Sequence, residues 1–305
     1  MIIGVTGDWH LDNQKPDKRL DRDWQKTQED KVRTLLEYCH LNDARVLLQP
    51  GDFTNRHTLN YDTVRNWILN LNQWKKQCGV DRLLTIYGQH DLRYHSSNVD
   101  NTPLAVLEAG SAVEIVHNRV VDIEQVAITG VSWGAEIPPI TNPEMFNILM
   151  IHKMVIKNEK VWEGQDEFVT GLQLLKETKY NLIVSGDNHK QFTVKGENGR
   201  MVINAGALFR TSINTSDHRP CVFFYDTAQH KLVNQCPIPA LAFTEVFDMT
   251  KAEKDEKVNK ELEAFVEQIR GGEVEEGVNF RENIAVALKG IQDQRVVKFI
   301  EGVLA

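Results

Sequence analysis

The sequence predicts an α/β fold followed by a small helical appendage, and three observations support that expectation. Short, mostly apolar runs alternate with amphipathic helical stretches over the first 235 residues. The runs end repeatedly at Gly, Asp, His or Asn, where an open sheet gathers its functional side chains. Beyond Pro237 and Pro239 the texture turns charged and helical, which divides the chain into residues 1–235 and 236–305.

In chain order, Ile2-Ile3-Gly4-Val5-Thr6 reads as the first strand, with no basic n-region or apolar core of a signal peptide ahead of it. Val32, Leu35, Leu36 and Cys39 then fall at i, i+3, i+4 and i+7, the stripe of an amphipathic helix. Val46-Leu47-Leu48 is the second strand. Val64, Trp67, Ile68, Leu71 and Trp74 make a second helical stripe, whose Trp pair reads as core packing rather than a base-stacking platform. Leu83–Tyr87, Val126–Thr129, Ile148–Ile151, Leu182–Val184 and Met201–Ile203 are continuous apolar runs suited to strands buried on both faces. Cys221–Asp226 and Lys231–Gln235 follow with shorter connections, as a second sheet or an antiparallel edge. In the tail, Val258, Leu262, Phe265, Val266 and Ile269 form one stripe that ends at Gly271-Gly272. Two further helical stretches carry Ile284, Leu288 and Ile291, and Val296, Val297, Ile300 and Val303.

The chain has 305 residues, 41% hydrophobic and 26% charged, an ordinary globular composition without an apolar run long enough to span a membrane. Its net charge of −8 argues against a surface coated for generic nucleic-acid binding but leaves room for a local groove. Lys251 to Glu282 holds ten acidic and six basic residues, so half of the excess belongs to the tail. Lys15, Lys18, Arg19 and Arg22 are interleaved with Asp17, Asp21 and Asp23, the pattern of a solvated mixed-charge face. Cys39, Cys78, Cys221 and Cys236 are scattered without a CxxC pair, as expected of reduced thiols in a cytoplasmic protein.

The chemistry lies in five polar clusters at predicted strand ends: Gly7-Asp8-Trp9-His10, Gly51-Asp52, Gly88-Gln89-His90-Asp91, His152, and Gly186-Asp187-Asn188-His189. Singly each is weak; as an ordered set they would converge on one crevice. Imidazole and carboxylate together suit divalent cations such as Mn²⁺, Fe²⁺ or Zn²⁺.

This ordered series resembles the calcineurin-like metallophosphoesterase superfamily, whose pattern is DxH, GD, GNH[DE], H and GHxH. The resemblance implies a four-layer α/β/β/α sandwich holding two divalent metal ions about 3.5 Å apart. Carried over by position, Asp8, His10, Asp52 and His189 would hold the first metal, with Asp52 bridging. His152, Gln89 and Asp187 would belong to the second. His90 would be the catalytic histidine beside the leaving-group oxygen, oriented by Asp91. Two positions depart from the pattern. Gln89 replaces Asn, and Asp187 replaces the first His of GHxH, an exchange that favours harder ions such as Mn²⁺ or Mg²⁺. These departures suit either a working site with altered metal preference or a weakened second site in a regulatory protein.

Within the superfamily, Gly51–His57 lacks the GDxxDRG motif of protein serine/threonine phosphatases. The Gly-Asp-Trp-His-Leu opening, the Gly-Asp-Phe step and the His-Asp-Leu third motif resemble the SbcD-type DNA repair exonucleases instead. That resemblance implies DNA as substrate, an SbcC-like ABC-type ATPase as partner, Mn²⁺ as the preferred cofactor (with Mg²⁺, Fe²⁺ or Zn²⁺ as the other candidates), and a role in recombination or repair. It implies a bacterial cytoplasm or a phage-infected host cell, and the short chain suggests a compact phage version. A homodimer is left open. In Asn204–Ser212, Arg210 would bind a DNA phosphate at the rim or form a salt bridge, and His57 would contact substrate or simply be exposed. The tail helices would cap the DNA site and reach the ATPase, or pack on their own domain. A small-nucleotide phosphodiesterase or phosphatase is the rival enzyme.

Overall fold

A two-residue alternation sorts the strand side chains between separate apolar layers. In β2 (Val46–Gln49), Val46 and Leu48 join one cluster and Leu47 another, and in β3 (Arg82–Thr85) Leu84 and Leu83 divide the same way. In β7 (Phe146–His152), Ile148 and Met150 share the cluster of Leu48 and Leu84, whereas Leu149 and Ile151 enter a third. The cluster shared by both sets of strands is therefore the filling between two sheets.

The computed structural model describes residues 1–93, 99–158, 168–212 and 215–251. The three predicted tail helices lie outside the described residues. The first sheet runs in the order β14 (Lys231–Pro237), β13 (Cys221–Asp226), β1 (Ile2–Val5), β2, β3 and β4 (Glu114–Ile115). The second runs β11 (Phe192–Lys195), β12 (Met201–Asn204), β10 (Leu182–Gly186), β7, β6 (Val126–Val131) and β5 (Val120–Ile123). Both are mixed. From β1 to β4 the pairing is parallel, and β13 runs antiparallel to β1 and β14. Cys221–Asp226 and Lys231–Pro237 thus form the antiparallel edge of the first sheet rather than a sheet of their own. A third, two-stranded sheet pairs β8 (Val155–Ile156) with β9 (Val169–Thr170).

Helices cover the outer faces. On the first sheet, Val32, Leu35 and Leu36 of α1 (Trp24–Leu41) pack with Trp67 and Leu71 of α2 (Tyr61–Cys78) and Leu104 of α3 (Pro103–Ala109) against Leu47 and Leu83. Trp67 and Trp74 are buried and meet edge to face at 6.3 Å, so the Trp pair is core. On the second sheet, Leu174 and Leu175 of α4 (Gly171–Glu177) pack on Leu149, Ile151, Ile183 and Val202. The result is the four-layer α/β/β/α sandwich. Local chemistry starts the helices: Asp23, Asn60, Thr102 and Thr170 each cap an N-terminus by accepting a backbone N–H.

The chain divides into two units, Met1–Pro16 with Asp21–Ala242, and Asp17–Leu20 with Phe243–Ala305. In the second, Leu20 N donates to Val246 O at 3.0 Å and Asp248 N to Lys18 O at 2.8 Å. Arg19 is 5% exposed, its guanidinium 5.4 Å from the Phe247 ring centroid, so it does not belong to a solvated face. Among the described residues, no helix is long and apolar enough to cross a membrane.

Candidate metal centre

Parallel pairing aligns the carboxyl ends of β1, β2 and β3, and likewise those of β7 and β10. Asp8 and His10 follow β1, Asp52 follows β2, and Gln89 and His90 follow β3. His152 ends β7, and Asp187 and His189 follow β10. Asp8, His10, Asp52, His90, His152 and His189 are brought together as possible donors; Asp187 lies beside them, outside those donor groups, with Gln89 hydrogen-bonded to it. His10 Nε2 lies 3.0 Å from His189 Nε2, and His189 Nε2 is 3.6 Å from Asp8 Oδ2. Asp52 Oδ2 lies 3.4 Å from His152 Nε2 and 3.8 Å from His10 Nε2. Three overlapping groups result: Asp8, His10 and His189; His10, Asp52 and His90; Asp8, Asp52 and His152, each with donor atoms within 4.8 Å of one another.

The backbone is bent to achieve this. His10, Asp52 and Asp187 have φ of 46°, 48° and 78°, in the left-handed region that costs an L-residue about 1–2 kcal/mol. Neighbouring loops hold them there. Trp9 N and His10 N donate to Asp52 O, Asp187 N donates to Asp8 Oδ2 at 3.0 Å, and His90 N donates to Asp52 Oδ1 at 2.9 Å. His152 Nδ1 donates to Pro50 O at 2.6 Å, which fixes its tautomer and turns Nε2 toward Asp52. A Cβ on Gly88 would collide with Asp52 Oδ1, and one on Gly186 would lie 2.7 Å from both Asp8 Oδ1 and His152 Nδ1. Only glycine permits so close an approach.

The donor set fits divalent cations. Asp8 Oδ1, His10 Nδ1, Asp52 Oδ2, Gln89 Oε1 and His152 Nε2 are buried and have no hydrogen-bond partner among the described residues. Buried polar atoms are normally satisfied, so such a cluster points to an ion. The electrostatics agree. Burial, with Asp52 and Asp187 nearby, pushes the Asp8 carboxyl well above the usual carboxylate range despite the opposing His152. Burial would lower His152, but Asp52, Asp8 and Asp187 reverse that and raise it to about 10. Burial likewise works against ionised Asp52, yet His152 and His10 hold it below the usual range. Burial keeps His10 down at about 3, neutral and able to ligate. The site is a desolvated nest of carboxylates short of positive charge. Asp8, His10, Asp52 and His189 could hold one ion; Asp52, His152, Gln89 and Asp187 another.

His90 is exposed, and its Nδ1 bonds the Asn55 carbonyl at 2.9 Å. Asp91 does not orient it. The Asp91 carboxylate is fully buried and accepts from Phe53 N, Thr54 N, Thr54 Oγ1 and Gly88 N, clamping the β2 and β3 loops together. Burial and the charge of Asp52 raise its pKa to about 6. Arg210 is also not on the rim: it is 2% exposed and donates from Nη2 to Leu241 O at 2.5 Å. His57 is half-buried in the loop after β2. Sequence reasoning missed Asn55 and Pro50 because both act through carbonyl oxygens, which leave no mark on residue type.

A sandwich of two mixed sheets with this Asp/His cluster at its strand ends defines a metal-dependent phosphoesterase. The chain belongs to the calcineurin-like phosphoesterase family, whose model matches residues 1–191. Among solved structures, TT1561 of Thermus thermophilus is 11% identical with a TM-score of 0.45, over 78% of this chain and 100% of that one. A dimetal phosphatase from Danio rerio is 10% identical with a TM-score of 0.43, over 78% of this chain and 98% of that one. No curated protein sequence matches.

Proposed function

We propose that the protein is a two-metal DNA nuclease of the SbcD type, hydrolysing phosphodiesters with Mn²⁺ and acting with an SbcC-like ATPase in recombination or repair. The reading rests on one observation above the others. Buried Asp52 stands between His10 and His152, 3.8 and 3.4 Å from its Oδ2, while exposed His90 faces the same cluster. When bound, two divalent ions supply polarisation of the phosphoryl oxygens and activation of the attacking water. The chain's own residues do the rest. Asp52 offers one carboxylate to both halves of the cluster. As an imidazolium, His90 keeps its Nδ1–H on the Asn55 carbonyl and gives its Nε2 proton to the departing alkoxide. The Gly-Asp-Trp-His-Leu, Gly-Asp-Phe and His-Asp-Leu motifs support the nuclease branch.

The test is digestion of single-stranded and duplex DNA with Mn²⁺, beside a cyclic nucleotide, by wild type and His90→Ala. Metal-dependent cutting lost in the variant is the expected result. Turnover of the cyclic nucleotide with intact DNA would overturn the nuclease assignment. Fewer than two Mn²⁺ per chain at saturation would remove the two-metal mechanism.

A further inference from the structure

A cavity of about 430 Å³ opens directly beside the metal centre, sharing His152 and Asp187 with it as walls. That volume lies in the range of small-molecule sites. Among the described residues, its other lining includes Trp133, Lys153, Met154 and Phe168. Trp133 is 38% exposed and Phe168 37% exposed, two large aromatic side chains lining a cavity beside the metal centre.

Both are held by the framework that builds the metal centre. Trp133 follows β6, which pairs parallel with β7, so it emerges beside His152. Its N–H donates to Tyr87 O at 2.9 Å, one residue before Gly88-Gln89-His90. Phe168 immediately precedes β9, and Val169 N donates to Met154 O at 3.0 Å, two residues beyond His152. The aromatic walls and the proposed ligands are therefore fixed to one another through the backbone. Lys153, exposed and next in sequence to His152, adds a cation to the same wall.

We infer that this cavity is a base-binding subsite: it takes the unstacked nucleobase next to the phosphodiester held at the metal centre, with Trp133 and Phe168 as its aromatic surfaces and Lys153 meeting a neighbouring phosphate. Aromatic side chains receive any base because every base offers a π face, and a cation beside them tracks the backbone. An isolated phosphomonoester has no second phosphate for Lys153, whereas a nucleotide within a strand does. The subsite rests on the proposed nuclease reading and gives it a substrate form, a single strand or a frayed end.

The experiment measures binding of a short single-stranded oligothymidylate and of its abasic analogue, which has the same phosphates without bases. The full chain is compared as wild type, Trp133→Leu, Trp133→Phe and Phe168→Ala. Wild type should prefer the base-bearing strand by about tenfold or more, the scale of one stacked base. Trp133→Leu and Phe168→Ala should remove most of that preference, and Trp133→Phe should retain it. Equal wild-type affinity for the two strands would overturn the subsite, as would a preference untouched by Trp133→Leu and Phe168→Ala. Tighter binding of a phosphotyrosine peptide than of the oligothymidylate would overturn the choice of ligand. Base-dependent binding without Mn²⁺-dependent cleavage would leave the subsite standing and sink the nuclease reading instead.

Discussion

Gln89 Nε2 donates a hydrogen bond to Asp187 Oδ1 at 2.9 Å, so the two positions that depart from the family's motif pattern are partners. The Gln amide spends its N–H on the Asp carboxylate, and its buried Oε1 has no hydrogen-bond partner among the described residues. One longer amide and one carboxylate thus stand as a matched pair where the motif has an Asn and a His, and if both ligate, the second half of the proposed site is richer in oxygen. Oxygen donors favour Mn²⁺ and Mg²⁺ over softer ions. Asp187→Ala and Gln89→Ala should each weaken Mn²⁺ binding by about 10- to 100-fold, read by calorimetric titration. Unchanged affinity in both variants would separate the pair from metal binding.

His90→Ala removes the proposed proton donor. Hydrolysis should fall by about 10²- to 10⁴-fold, the contribution of a positioned general acid. Two Mn²⁺ per chain by mass spectrometry, alongside that loss, would assign the effect to proton transfer; loss of an ion would assign His90 to ligation instead.

Asp91 works as a clamp. Four donors converge on its buried carboxylate, and Asp91→Ala leaves three backbone N–H groups and a hydroxyl unmatched. Denaturant unfolding should show a loss of at least about 3 kcal/mol. A loss of activity with stability unchanged would return Asp91 to a role in catalysis.

His218 gives a pH dependence. Burial holds it down to about 4, and Nε2 lies 2.6 Å from the Ala207 carbonyl. The unfolded chain takes up this proton near the ordinary value of about 6.5, so the neutral ring's contribution is complete above that pH. It is lost as pH falls from about 6.5 toward 4, to a limit of about 3 kcal/mol. His218→Gln should flatten the stability profile across this window; an identical slope in the variant would refute the assignment.

The cysteines divide two and two. Cys39 and Cys221 are buried, burial raises both thiols (Cys221 to about 12), and Cys221 Sγ contacts Gln191 Oε1 at 2.7 Å. Cys78 and Cys236 are half-exposed. A thiol reagent should therefore modify two cysteines in the native protein and the other two only after unfolding. Rapid reaction of all four would contradict this burial.

Long apolar strands are readable in the sequence because burial on both faces leaves unbroken runs, as in Ile148–Ile151. The strands not anticipated, such as Glu114–Ile115 and Phe192–Lys195, are short edge segments that carry polar residues, where neighbours rather than composition decide the pairing. The candidate ligands are legible because Gly-Asp and His steps sit where strands end. What holds them is not. Asp91 looks like an orienting acid by its position beside His90, and only the loop packing shows that its oxygens face Phe53, Thr54 and Gly88. Arg210 looks like a rim cation in the sequence, but the chain buries its guanidinium toward Leu241.

The Asp91 clamp, the His152–Pro50 bond and the Asp187–Asp8 bond join the ligand loops using protein atoms alone. Part of what holds the cradle in shape is therefore supplied by the protein itself, unlike small domains whose fold is created by their metal. A chelator should silence the protein while leaving its circular dichroism intact, and returning the ion should restore it without a refolding lag.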